Sequence, residues 1–255
     1  MNIYVLLKRT FDSEEKITVK AGRIDESGAE YIINPYDEYA IEEAIVLRDA
    51  HGGTVTVVTI GDEEADKQLR TALAMGADEA VLINDEEVDP LDQHATAHVL
   101  ATYLADKDAQ IILAGNVTID GGSGQIGPRV ATLLNIPYVT TVTNVVIEGN
   151  RAVLARDSEG DIETIETTLP LLITTQQGLN EPRYPSLPGI MKAKKKPLEE
   201  LEVEDLVLQA EQLTAKVKII DVTLPPKKEA GRIIEGDIKQ QVEALANILQ
   251  AKGTA

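Results

Sequence analysis

Cysteine is absent from this 255-residue chain, which excludes disulfides, iron–sulfur ligation and thiol redox chemistry. A redox role would have to use a bound organic cofactor. Tryptophan is absent too, and one phenylalanine and seven tyrosines leave few aromatic platforms for stacking single-stranded nucleic acid. Positive charge is scarce: 24 Lys and Arg stand against 43 Asp and Glu, a formal net charge of −19. Phosphate-driven adhesion to nucleic acid or an anionic bilayer would be repulsive, so no nucleic-acid partner is expected. No apolar run approaches bilayer length, and direct membrane insertion is not expected either. The opening MNIYVLLKRTFD has no basic region ahead of its apolar run and no small-residue cleavage site, which makes the cytoplasm the expected compartment.

What is present alternates. An apolar strand at 2–7 is followed by a hairpin-like excursion over 16–33, then by a helix whose start is Asn34-Pro35, with Asn34 read as the cap and Asp37 placed near the free amides. TVTVVTI (54–60) reads as a strand, and Gly76 ends the helix after it. A strand at 80–83, a helix near 92–105 and a strand at 110–114 continue the alternation. Parallel strands need helical crossovers, so this order predicts an open, mostly parallel doubly wound α/β sheet, Rossmann-like. From 138 to 175 the pattern turns to β, read as antiparallel additions. The expected division is an α/β domain over 1–190 and an extended C-terminal arm with a terminal helix over 191–255.

Two stretches carry the chemistry. Gly115 follows a strand, and NVTIDGGSGQIGP leads from it into a helix. Glycines let backbone approach a ligand, and free amides at a helix start suit a phosphate; an empty connecting turn is the competing interpretation. The spacing is neither that of a P-loop nor the usual dinucleotide fingerprint. The second stretch is LNEPRYPSLPGIMKAKKK (179–196), where Pro182, Pro185 and Pro188 predict a stiff irregular loop. Leu187 there has no periodic apolar neighbours, and Lys192, Lys194, Lys195 and Lys196 follow. A docking device and a proline-rich turn with a solvated lysine run both fit these residues.

His94 and His98 lie four apart near Asp92, but no motif supplies a third ligand, so no metal site is expected. The acid pairs Glu42-Glu43, Glu63-Glu64 and Glu86-Glu87 read as solvated faces or loops. No nucleophile–base pair is visible, and no catalytic residue is assigned.

The 179–196 stretch closely resembles the signature of electron transfer flavoprotein beta subunits, with Asn180, Glu181, Pro182, Arg183, Tyr184, Leu187, Pro188, Ile190, Met191, Lys192, Ala193 and Lys194 in the family's places. The likeness extends to Lys8-Arg9, Asn34-Pro35, RTALAMGAD (70–78) and the turn from Gly115 to Gly127. It implies an electron carrier rather than a stand-alone enzyme, with the redox FAD held mainly by an alpha subunit and a nucleotide of its own bound here. That nucleotide is AMP in the respiratory type and a second FAD in the electron-bifurcating type, which works with NADH. Ile126-Gly127-Pro128 looks closer to the second form.

By the same resemblance Asn34, Pro35 and Asp37 line the base and ribose, Leu6 and Ile60 floor the pocket, and Tyr36 is the candidate flavin contact. Gly115, Asn116, Asp120, Gly121, Gly122, Ser123, Gly124, Gln125 and Ile126 are assigned to the nucleotide turn, with Asp120 and Gln125 fixing its shape. Tyr184, Leu187, Pro188, Ile190, Met191 and Lys192 are assigned to partner recognition. The implied partners are the alpha subunit, acyl-CoA and related dehydrogenases, and a membrane quinone reductase. A free-standing adenine-nucleotide module remains the competing class.

Overall fold

A computed structural model describes every residue except Glu87, Asp89, Glu229, Thr254 and Ala255. In chain order the elements are β1 (Asn2–Leu6), β2 (Arg9–Phe11), β3 (Val19–Lys20), β4 (Arg23–Ile24), β5 (Tyr31–Ile33), α1 (Pro35–His51), β6 (Thr54–Ile60), α2 (Asp66–Met75), β7 (Glu79–Asn84), α3 (Gln93–Ala105), β8 (Ile111–Gly115), α4 (Ile126–Leu134), β9 (Tyr138–Glu148), β10 (Arg151–Ser158), β11 (Asp161–Thr168), β12 (Leu171–Thr175), α5 (Leu187–Ala193), β13 (Leu198–Glu202), α6 (Ala210–Leu213) and α7 (Ile238–Ala251). Two compact units result: residues 1–17 with 25–220, and residues 18–24 with the segment from Asp221 onward.

The first unit is built on a sheet of nine strands in the order β11-β10-β9-β12-β8-β1-β6-β7-β13. From β9 to β13 every neighbouring pair is parallel, and only β9-β10-β11 is antiparallel. Val55, Val57 and Val58 of β6 are fully buried because side chains on both of its faces meet helices. Ile41 and Ile45 of α1 pack with Leu69 and Leu73 of α2 on one face, while Val99 and Leu104 of α3 pack with Val130 of α4 on the other. After β1 the chain runs outward through β6 and β7, then returns to lay β8 against the opposite edge of β1. That reversal opens a crevice at the carboxyl ends of β1 and β8.

Four expectations are corrected. β12 is not an antiparallel addition; it runs parallel between β8 and β9, and all five of its residues are buried. Residues 187–193 form a helix, not an irregular loop, because Pro188 falls in the first turn, where its missing donor costs nothing. β13 joins the sheet edge beside β7, and Val203 is buried under it, so the body ends near residue 220 and not at 190. Glu42 and Glu43 are each only 6% exposed and so are not a solvated face, whereas Glu63, Glu64 and Glu86 are exposed and Glu87 lies outside the described residues.

The second unit holds the small hairpin β3–β4 and helix α7. Asp237 and Gln240 cap that helix reciprocally, each side chain accepting from the other's amide at 3.0 and 3.1 Å. Its residues Ile238, Val242 and Leu245 share one face and are all exposed.

Candidate functional site

The crevice is a cavity of about 270 Å³ lined by strand ends (Leu6, Lys8, Val58, Ile60), by the acids Asp37, Asp85 and Asp92, and by the glycine-rich turn after β8. Gly115 opens that turn where no other residue fits: a Cβ would lie 2.7 Å from the Tyr36 Cβ and collide with the Asp37 carboxylate. The Asp37 carboxylate itself spans the crevice floor. Its Oδ2 accepts from the Lys8 amide at 2.7 Å, and its Oδ1 from the Gly115 amide at 2.9 Å and Asn34 Nδ2 at 3.1 Å. One side chain from the start of α1 thus ties the end of β1 to the end of β8.

Asn34 does not cap α1 with its side chain, contrary to expectation. Nδ2 donates to the Val117 carbonyl at 2.9 Å and Oδ1 accepts from the Ile119 amide at 3.2 Å, so the fully buried amide staples the turn to the helix. The long-range partner wins because loop groups at 117 and 119 would otherwise be unpaired. Asp120 is held from two sides, by Lys8 Nζ at 2.6 Å and by the Gly121 amide at 2.5 Å, and the Gly122 amide donates to the Thr118 carbonyl at 2.8 Å. Gly122 and Gly124 then adopt φ of +61° and +60°, conformations that favour glycine. Beyond Gly122 the amides of Ser123, Gly124 and Gln125 have no acceptor among the described residues. They lead into the first turn of α4, where the helix dipole adds positive potential. The rim of the cavity therefore offers a row of donors suited to an anion such as a phosphate.

The acids have different characters. Burial pushes the Asp37 carboxyl up to about 7, against three hydrogen bonds that pull it down. Burial also raises Asp85. For Asp120 and Asp92 burial acts upward as well but is outweighed: the Lys8 ammonium with the Thr118 and Gly121 donors holds Asp120 low, and four backbone amides hold Asp92 low. Asp92 caps α3 through His94 and Ala95 and also accepts from the Lys216 and Val217 amides.

Of the residues assigned to the nucleotide, Leu6, Asp37, Ile60, Gly115, Asn116, Gly121, Ser123, Gly124, Gln125 and Ile126 line this cavity. Asn34 stands behind it, and Asp120 and Gly122 shape the turn from outside. Pro35 and Tyr36 begin α1 at its back; Tyr36 is half-buried and its carbonyl accepts from the Thr175 hydroxyl at 2.9 Å. Gln125 does not brace the turn, since its Oε1 accepts from Arg129 Nε and Nη2 at 3.0 and 2.8 Å. His94 and His98 meet edge to face with centroids 4.6 Å apart, and no cluster of metal-binding residues occurs among the described residues.

The 179–196 stretch is held by the same helix, one turn further on. Both Glu42 oxygens engage Arg183, Oε1 with Nη2 and Oε2 with Nε, each at 2.8 Å; Oε2 also accepts the Arg183 amide at 3.1 Å. Asn180 Nδ2 donates to Glu43 Oε2 at 3.0 Å. Helix α5 then lies on α2 so closely that a Cβ on Gly189 would collide with the Ala74 carbonyl. Arg70 Nη1 donates to the Ala193 carbonyl at 3.0 Å and Lys196 Nζ to the Leu73 carbonyl at 3.0 Å. The motif RTALAMGAD is thus the seat of this segment. Tyr184, Leu187 and Met191 are 94%, 81% and 68% exposed, with Pro188, Ile190 and Lys192 beside them. Sequence reasoning missed Glu42, Glu43 and Thr174, because nothing local marks an acid or a threonine whose partner is far along the chain.

A doubly wound sheet with its cavity at the strand-order reversal defines the class of open α/β domains that carry ligands at such crevices. Within it, the profile of the electron transfer flavoprotein domain matches residues 21–206. The chain is 60% identical over 253 residues to the electron transfer flavoprotein subunit beta of Bacillus subtilis, covering 99% of this chain and 98% of that one. It is 41% identical over 238 residues to the subunit beta of Syntrophomonas wolfei (93% and 91% covered), and 38% identical over 248 residues to the caffeyl-CoA reductase-Etf complex subunit CarD of Acetobacterium woodii (95% of each). The chain belongs to the electron transfer flavoprotein family, as a beta subunit. Among the described residues no helix is long and apolar enough to cross a membrane.

Proposed function

We propose that this chain is the nucleotide-holding half of a heterodimer whose redox FAD sits mainly on an alpha subunit, and that its crevice binds AMP. The observation that carries this reading is the row of unpaired amides at Ser123, Gly124 and Gln125, at the rim of a cavity whose floor is locked by Asp37. Backbone donors fit phosphate oxygens, and the Asp85 carboxylate in the cavity lining fits a hydroxyl or amino donor of a ribose or base. When bound, the flavin supplies the electron chemistry, and this chain positions and screens it. The exposed face of α7, with Ile238, Val242 and Leu245, would lie against the alpha subunit. Leu187, with Tyr184, Ile190 and Met191 around it, would enter an apolar pocket on acyl-CoA and related dehydrogenases, and the lysines after it would meet acidic rims. Electrons would pass on to a quinone reductase. The working compartment on this reading is the cytoplasm.

A second reading is favoured by Ile126-Gly127-Pro128 and by the likeness to the A. woodii subunit. There the crevice takes a second FAD. Counting nucleotides in the purified heterodimer separates the two: one FAD and one AMP support the first, two FAD the second. A heterodimer that carries its redox FAD and no further nucleotide overturns both.

A further inference from the structure

Thr141 is the only β-branched residue with positive φ, +57°, among the described residues, and it sits inside strand β9 where an extended backbone is the rule. Its conformation delivers its amide to Thr174 Oγ1 at 3.2 Å. Thr174, 1% exposed, donates in turn to Asn116 Oδ1 at 3.1 Å. Arg156 supports the strained pair from outside, donating to the Thr140 and Thr141 hydroxyls at 3.3 and 3.4 Å. Asn116 lines the crevice, and its Nδ2 has no acceptor among the described residues.

We propose that Thr141 and Thr174 are positioning residues that fix the amide of Asn116 as a donor facing the bound nucleotide. Thr174 has one hydroxyl hydrogen, and Asn116 Oδ1 is the acceptor it reaches. Turning the Asn116 amide over would leave that hydrogen buried and unpaired, so the relay holds the amide one way round. The ligand atom opposite Nδ2 must then be an acceptor. A strained residue persists where its surroundings fix it, and here the strain supplies the N–H that begins the relay.

The inference rests on the crevice being the nucleotide site. Its test is titration of AMP and of FAD into the nucleotide-free full-length chain. Thr174→Val should weaken the bound nucleotide about tenfold, while Thr174→Ser, which keeps the hydroxyl, should stay within about twofold of the parent. Asn116→Asp, which puts an acceptor in the donor's place, should lose more than the valine variant. If Thr174→Val binds like the parent, or the serine variant fails as badly as the valine, the relay is wrong while the site stands. If the parent binds neither nucleotide, the site reading falls and the relay with it.

Discussion

The glycine turn and the 179–196 stretch both lie far along the chain from α1, and both are held by buried polar side chains at and just beyond the start of that helix. They differ in what they leave open. Asn34 and Asp37 grip backbone groups of the turn at 115–119, and what remains unpaired beyond them is backbone, the amides of 123–125. Glu42 and Glu43 grip Arg183 and Asn180, and what remains uncovered there is side chain, Tyr184, Leu187 and Met191. On the function proposed above, a small charged ligand would be met by fixed dipoles that need no reorganisation, and a protein surface by apolar volume on a braced segment.

The contrast is broken most severely at Gly115. Gly115→Ala forces a methyl group into Asp37 and Tyr36, and should cost about 3 kcal/mol by overpacking, with loss of bound nucleotide. Urea unfolding with a parallel nucleotide assay would check it; a folded variant of parental stability would show the crevice floor to be soft.

Glu42→Ala should act on the other segment alone. It strands Arg183, which is partly solvated, and about 2 kcal/mol is expected. Trypsin should then cut sooner at Lys192, Lys194 and Lys195, with nucleotide content unchanged. Loss of both together would mean that the two segments are not separately held.

Asp37→Asn sharpens the comparison through pH. The native carboxyl titrates near 7 and the unfolded one near its ordinary value of 3.8, so the native state binds the proton more tightly. Stability from this group is fully present below about pH 4 and is lost as pH rises toward 7. The asparagine variant lacks that dependence and also turns a donor toward a backbone N–H, a loss of about 1 kcal/mol. The parent's advantage over it should therefore shrink from pH 4 to pH 7, read from urea midpoints across that range. A constant difference would place the Asp37 titration elsewhere.

The smallest stability effect belongs to Leu187→Ala, under about 0.5 kcal/mol because the side chain is 81% exposed. Electron acceptance from a dehydrogenase should nevertheless fall about tenfold or more, from loss of roughly 1.5–3 kcal/mol of burial at docking. Stopped-flow reduction beside a melting curve reads both; an unchanged rate would end the anchor assignment.

Period and punctuation make the parallel sheet, the helix starts and the glycine turn legible in the sequence. TVTVVTI can bury both faces only inside a sheet, and Gly76 and His51-Gly52 mark helix ends by local conformation. The direction of β12 was not legible, since LLITT carries the same apolar run whichever way its neighbours point. Nor was β13, whose LEELE pattern looks solvated because only an edge strand can carry it. At the site, glycines announced the turn, but the grip of Asn34 on residues 117 and 119 and the strain at Thr141 are products of tertiary contact. Asn34 precedes a helix and bears the preferred capping residue, yet a distant partner claims its side chain.

Helix α1 is in effect a ruler. Its acids reach two separate segments, and their spacing along the helix sets which carboxylate faces which. Deleting or inserting one residue between Asp37 and Glu42 would rotate one set against the other by about 100° and shift it by about 1.5 Å. Insertions that the β9–β10 or β10–β11 turns would absorb are thus forbidden across the four residues between Asp37 and Glu42 of an ordinary-looking helix. From Asn34 to Glu43 the residue count is itself fixed by what the side chains at its two ends must reach.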